Sequence, residues 1–139
     1  MNRPRSFRRT PSDGSPAAHL QRGRQAETLA TRYLQRNGLQ LLTRNYRCKV
    51  GELDLVMMDA QVLVIVEIRY RRNSDFADPL ETVTVEKQRR IVRATRHLLQ
   101  GRPELRRYPL RFDVLALSGP IEQAKLDWVK CAFDSQTGA

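Results

Sequence analysis

Two apolar runs, each interrupted by acids, constrain this chain more than any other feature. Gly51-Glu52-Leu53-Asp54-Leu55-Val56 is followed by Val64-Ile65-Val66-Glu67-Ile68-Arg69, with twelve residues between Asp54 and Glu67. Strands this hydrophobic are normally buried, and a carboxylate within one is costly unless something pairs with it. Ala60-Gln61 suits a two-residue hairpin loop, which sets Asp59 against Val62. Counting back along that ladder places Asp54 opposite Glu67, on one face of the sheet, with Cβ atoms about 5 Å apart. Two carboxylates so placed repel each other, and the arrangement calls for a cation between them. Arg69, two residues beyond Glu67, points to the same face. The pattern is that of a hard-metal site beside a fixed positive charge.

The 139 residues suit one domain with a single core. Residues 1–16 are rich in Arg, Ser and Pro and read as a disordered basic arm, with a single domain over 17–133 and a short tail over 134–139. An organelle transit peptide has a composition similar to that arm. The 25 Lys and Arg against 15 Asp and Glu give a net charge of +10. Such an excess favours polyanionic partners, nucleic acid first and an anionic membrane surface second. The longest apolar run, Val62 to Val66, is far short of a membrane span, and the N-terminus lacks the apolar stretch of a secretory signal. The expectation is a soluble, cytoplasmic protein. Cys48 and Cys131 then read as reduced thiols, Cys131 packing within a strand. With only His19 and His97 besides, any metal ligands are oxygens.

Periodicity predicts a helix over 17–37, its stripe formed by Ala26, Leu29, Ala30, Tyr33 and Leu34, with Gly38 as the residue that ends it. Glu27 lies at the edge of that stripe. Strands follow over 40–48, 52–58 and 62–70, then a loop from Arg71 to Val83 broken by Pro79. A second helix spans Val85 to Gln100 with Thr84 as N-cap. Strands at 111–117 and 126–133 complete an α-β-β-β-α-β-β order, an α+β (α/β) domain with a mixed sheet flanked by helices.

The second helix carries one-sided charge. Ile91, Ala94, Thr95, Leu98 and Leu99 form its inward face, while Arg89, Arg93 and Arg96 fall opposite. Its only acid is Glu86, whereas a merely solvated face usually mixes signs, so the arginines suit phosphates. Lys87 sits on the inward side and must either reach water or meet an acid.

Glu52, Asp54 and Glu67 offer hard oxygen ligands suited to Mg²⁺ or Mn²⁺. With a basic surface, the reaction class this suggests is phosphodiester hydrolysis. The residues alone favour a structural acid pair over this chemistry.

The motifs resemble a known set. Asp54, a twelve-residue gap and Glu67-x-Arg69 resemble the PD-(D/E)xK signature of restriction-endonuclease-like nucleases. More closely, the chain resembles the YraN family of small proteins. The stretches that carry this are Gly23, Glu27 and Ala30; Asn45-Tyr46-Arg47; Gly51 to Leu55; and Val66 to Arg71. It continues through Lys87, Ile91 and Ala94 to Arg111-Phe112-Asp113-Val114 and Ala132-Phe133. The resemblance implies a restriction-endonuclease-like αβββαβ core, similar to archaeal Holliday-junction resolvases. It also implies that Glu27 joins Asp54 and Glu67 at the metal, with Glu52 ranked after them, and that Arg69 occupies the lysine position. Arginine there donates charge and hydrogen bonds but cannot act as a base, which turns attention to Lys87 as a source of an ammonium group.

The expectation is therefore a Mg²⁺- or Mn²⁺-dependent endonuclease acting on DNA, branched or otherwise structured, and working as a homodimer if it cuts two strands. Arg71, Arg89, Arg93, Arg96 and Arg111 are the expected nucleic-acid contacts, with Gln88 as a further candidate. The alternative is a catalytically inactive nucleic-acid-binding module of the same fold; a partner made of RNA is a third reading.

Overall fold

The computed structural model describes residues 16–73 and 83–138. The expected arm and most of the expected loop before the second helix lie outside the described residues. Five strands, β1 (Gln40–Cys48), β2 (Gly51–Asp59), β3 (Val62–Arg71), β4 (Leu110–Ser118) and β5 (Lys125–Phe133), form one sheet in chain order. The β3–β4 pair is parallel and the other pairs are antiparallel. Helices α1 (Pro16–Arg36) and α2 (Val85–Gly101) cover opposite faces of this sheet. The result is the α+β class and element order read from the sequence.

The helices form and stop where their sequences dictate. On α1, Ala26, Ala30 and Leu34 recur at helical spacing and are fully buried against Leu55, Met57, Val64 and Val66. Gly38 adopts φ +92°, and the Leu39 and Gly38 N–H groups return to the Leu34 and Gln35 carbonyls at 3.1 and 3.0 Å. This is a complete Schellman ending. On α2, the Thr84 hydroxyl accepts the Lys87 N–H at 3.1 Å, and Ile91, Val92, Ala94 and Leu98 pack on Leu53, Val56, Leu63 and Ile65. Each such buried aliphatic side chain contributes about 2 kcal/mol.

The β2–β3 hairpin has the expected register. Asp59 faces Val62 and the ladder runs to Leu55 opposite Val66. Ala60 enters the turn with φ 51°. One step further the strands part: β2 keeps its pairing with β1 down to Gly51, while β3 keeps its pairing with β4 out to Arg71. Parting leaves the Ile68 N–H without a ladder partner, and Asp54 Oδ2 accepts it at 2.8 Å. The fork is thus closed at its base by a side chain.

The period of two also breaks at this point. Leu53 packs into the α2-side core and Leu55 into the α1-side core, although two residues apart on a regular strand share a face. Between Tyr46 and Arg44, which pair with Leu53 and Leu55, Asn45 adopts φ 54°.

Candidate active site

Glu67 sits on the α2 side of the fork and is 4% exposed. Its Oε1 lies 3.4 Å from Lys87 Nζ and 4.0 Å from Arg69 Nη1. Lys87 is therefore the inward lysine that meets an acid, as the helix pattern required. Burial, and then the negative charge of Asp54, push the Glu67 carboxyl from its ordinary 4.5 up to about 8; the Lys87 ammonium opposes this and only partly offsets it. The Asp54 carboxyl is near enough to Glu67 to add to the rise. At neutral pH the pair holds a proton where the sequence called for a cation.

The expected ligands divide. Asp54 and Glu67 come together at the fork. Glu27 lines the same α1-side cleft as Asp54, but its Oε1 accepts the Asn45 amide at 2.7 Å. Glu52 is not gathered with Asp54. It is exposed, pairs with Arg47 at 3.7 Å and borders a separate hollow with Lys87 and Arg90. The broken alternation around Asp54 explains why counting by two misplaces it. Among the described residues, no three His, Cys, Asp or Glu side chains are gathered as a metal cluster.

The two acids with two cations beside them still fit a small hard ion, which is commonly held by one or two carboxylates and keeps several waters. Asp54 has one oxygen committed to Ile68, while Glu67 is buried without a full counter-charge.

Beside the fork, α1 and the ends of β1 and β3 enclose a cleft of about 1280 Å³. Its lining includes Arg22, Arg24, Arg47, Arg71 and Arg72 around Glu27 and Asp54. Of the expected phosphate contacts only Arg71 is here. Arg89, Arg93 and Arg96 are exposed on α2, across the sheet. The sequence offered no periodic signal for the other cleft arginines, since they come from α1, β1 and the end of β3.

Arg111 corrects its expectation. Its guanidinium binds both oxygens of Asp113 at 2.9 and 3.1 Å and Asp59 at 3.0 Å, and its side chain is 15% exposed. Burial pulls its pKa down, but the hydrogen bonds and charges of Asp113 and Asp59 more than reverse this. Such an arginine is a structural cation, not a phosphate contact. Asp113, fully buried, also accepts Trp128 Nε1 at 2.9 Å and the Cys131 N–H at 3.1 Å. Cys131 is exposed with φ 53°, at a bulge built around Asp113, not packed in the core. Gln88 is likewise occupied, donating to the Val83 carbonyl at 3.0 Å.

A mixed sheet between two helices defines an α+β domain, here with Asp54 and Glu67 where two strands part beside a basic cleft. The model of the uncharacterised protein family UPF0102 matches residues 26–117. The chain is 47% identical over 116 residues to a UPF0102 protein of Pseudomonas syringae pv. syringae, covering 83% of this chain and 94% of that one. It is 50% identical over 121 residues to one from Pseudomonas putida strain GB-1, covering 86% and 98%. A Legionella pneumophila relative is 41% identical over 115 residues, covering 83% and 96%. The chain belongs to the UPF0102 family, the YraN family of the sequence resemblance.

Proposed function

We propose that this protein is a divalent-metal-dependent endonuclease that hydrolyses phosphodiesters in DNA. The observation that carries this reading is the meeting of Asp54, Glu67, Arg69 and Lys87 where β2 and β3 part, beside an arginine-lined cleft. Asp54 and Glu67 are the residues that would hold Mg²⁺ or Mn²⁺. Such an ion activates a bound water and neutralises charge on a phosphoryl oxygen.

The chain's own residues supply the rest. Glu67 would hold the ion as a carboxylate, its proton passing to solvent. Arg69 stays charged and donates to the scissile phosphate, where extra negative charge develops in the transition state. Lys87, one-third exposed, places a compact ammonium on the same side as Arg69 and orients either the phosphate or the attacking water. Glu27, held by Asn45, is a carboxylate at the cleft wall rather than a ligand fixed in place. The resemblance to the PD-(D/E)xK nucleases supports the roles of Asp54, Glu67 and Arg69, though it would also bring Glu27 to the metal, and branched or structured DNA is the substrate class it favours.

A second reading is favoured by one observation: an arginine stands where a lysine would serve. A binding module of this fold would use the arginines without cutting.

The test is cleavage of labelled four-way-junction, flap, duplex and single-stranded DNA with Mg²⁺, Mn²⁺ or EDTA. Metal-dependent cutting that disappears in Asp54→Asn and in Glu67→Gln is the expected result. Salt-dependent binding without cutting in either metal would replace the nuclease with the binding module. Lys87→Ala that cuts at full rate would remove Lys87 from the site.

A further inference from the structure

The cleft beside the fork is not uniformly polar. Between its arginines lie Ile68, the ring of Tyr70 and Leu20, which is 66% exposed on α1. The Tyr70 hydroxyl donates to the Gly119 carbonyl at 2.9 Å, which anchors the half-buried side chain. We infer that this cleft seats a single, unpaired DNA strand, its phosphates on Arg24, Arg47 and Arg72 and its bases against Tyr70 and Leu20. The placement of Asp54 at the cleft gives this the sense of a path to the cutting point, and to that extent it rests on the proposed function.

Three observations carry it. A positively charged groove interleaved with aromatic and apolar surface is what an unpaired strand requires, because its base faces are open to stack. A duplex hides those faces and gains nothing from an apolar lining. The cleft is also walled by α1 on one side and by strand ends on the other, with Asp54 and Ala26 among its lining. A groove walled in this way suits an extended strand that tracks along it. Finally, α2 offers the contrast: Arg89, Arg93 and Arg96 stand exposed on the outside of a helix, a surface suited to contact with phosphates alone.

The experiment is fluorescence anisotropy with a labelled oligothymidine and a labelled hairpin duplex of equal charge, in EDTA, over rising salt. The proteins are the full chain, the triple variant Arg24→Ser, Arg47→Ser and Arg72→Ser, and Tyr70→Ser with Tyr70→Phe as its conservative partner. All three arginines are exposed, so the triple variant keeps its fold. The expected result is single-strand binding at least about tenfold tighter than duplex binding. The triple variant lowers the slope of log K against log salt by about 2 for the single strand, at about 0.7 per phosphate contact. Tyr70→Ser weakens single-strand binding about tenfold and Tyr70→Phe does not. Equal affinity for both probes, or a single-strand salt slope unchanged in the triple variant, overturns the inference. Tight single-strand binding through the cleft with no cutting in Mg²⁺ or Mn²⁺ keeps the cleft and removes the nuclease. Cutting with cleft-independent binding does the reverse.

Discussion

Two buried acids in neighbouring strands of this sheet meet opposite fates. Asp113 on β4 is fully buried and satisfied: a bidentate arginine, an indole N–H and a backbone N–H surround it. Glu67 on β3 is nearly as buried, yet it faces another carboxylate, with an ammonium at 3.4 Å and a guanidinium only at 4.0 Å. The first arrangement completes itself within the chain. In the second, the Glu67 pKa is pushed up to about 8, first by burial and then by the charge of Asp54, which the Lys87 ammonium only partly offsets. A buried acid with a raised pKa at an opening in the sheet is a candidate for a site, whereas Asp113, surrounded by donors, is part of the scaffold.

Substitutions sharpen that contrast, beginning with the largest effect. Asp113→Ala strands the Arg111 guanidinium in a partly buried position and should cost about 3–5 kcal/mol in urea unfolding. A loss below about 1 kcal/mol would show that the cluster is not structural. At Glu67 the sign is opposite. Because its folded pKa is raised, its stabilising contribution is complete below the ordinary 4.5 and is lost as pH rises through about 8. Stability should therefore fall across that window by on the order of 5 kcal/mol. Glu67→Gln should flatten the fall and unfold at higher urea than the parent at pH 9. An unchanged pH profile would mean that Glu67 is not held protonated.

A divalent ion should act on one region only. Mn²⁺ at tenfold its Kd should stabilise the parent by about 1.4 kcal/mol, seen as a higher Tm. Asp54→Asn and Glu67→Gln should abolish that gain, and Asp59→Asn, on the Arg111 side, should leave it. The smallest effect belongs to Glu52→Ala. Its exposed pair with Arg47 contributes under about 1 kcal/mol, and Mn²⁺ stabilisation should be unaltered. Loss of the metal effect in that variant would restore Glu52 to the ligand set.

The elements of the fold were legible because their signals are local. Alanine spacing sets the face of α1, Gly38 its end, Thr84 the start of α2, and the loop length the register from Asp59 to Leu55. The inward Lys87 followed from helical spacing, whereas the register stops at Leu55 opposite Val66, one step short of the expected pairing of Asp54 with Glu67. What failed was non-local. Arg111 read as a phosphate contact because its partners, Asp113 two residues on and Asp59 on another strand, act together only in the folded sheet. Asp113 carried the same signal as Glu67, an acid in an apolar strand, and with Arg111 at i−2 the pair could have been recognised. Glu52 was misplaced because alternation breaks at Asp54, where β2 leaves β3. The Asn45 contact to Glu27 had only a faint precedent in sequence, an asparagine tolerant of positive φ.

The most direct test of the central claim, that the fork is a cation site kept open by the fold, is calorimetric titration of Mn²⁺ at pH 7 in two buffers of different ionisation heat. Binding should release about one proton per ion, the one Glu67 holds, with both the binding and the release lost in Glu67→Gln and Asp54→Asn. Mn²⁺ binding that survives both substitutions, or no binding at all, would contradict it.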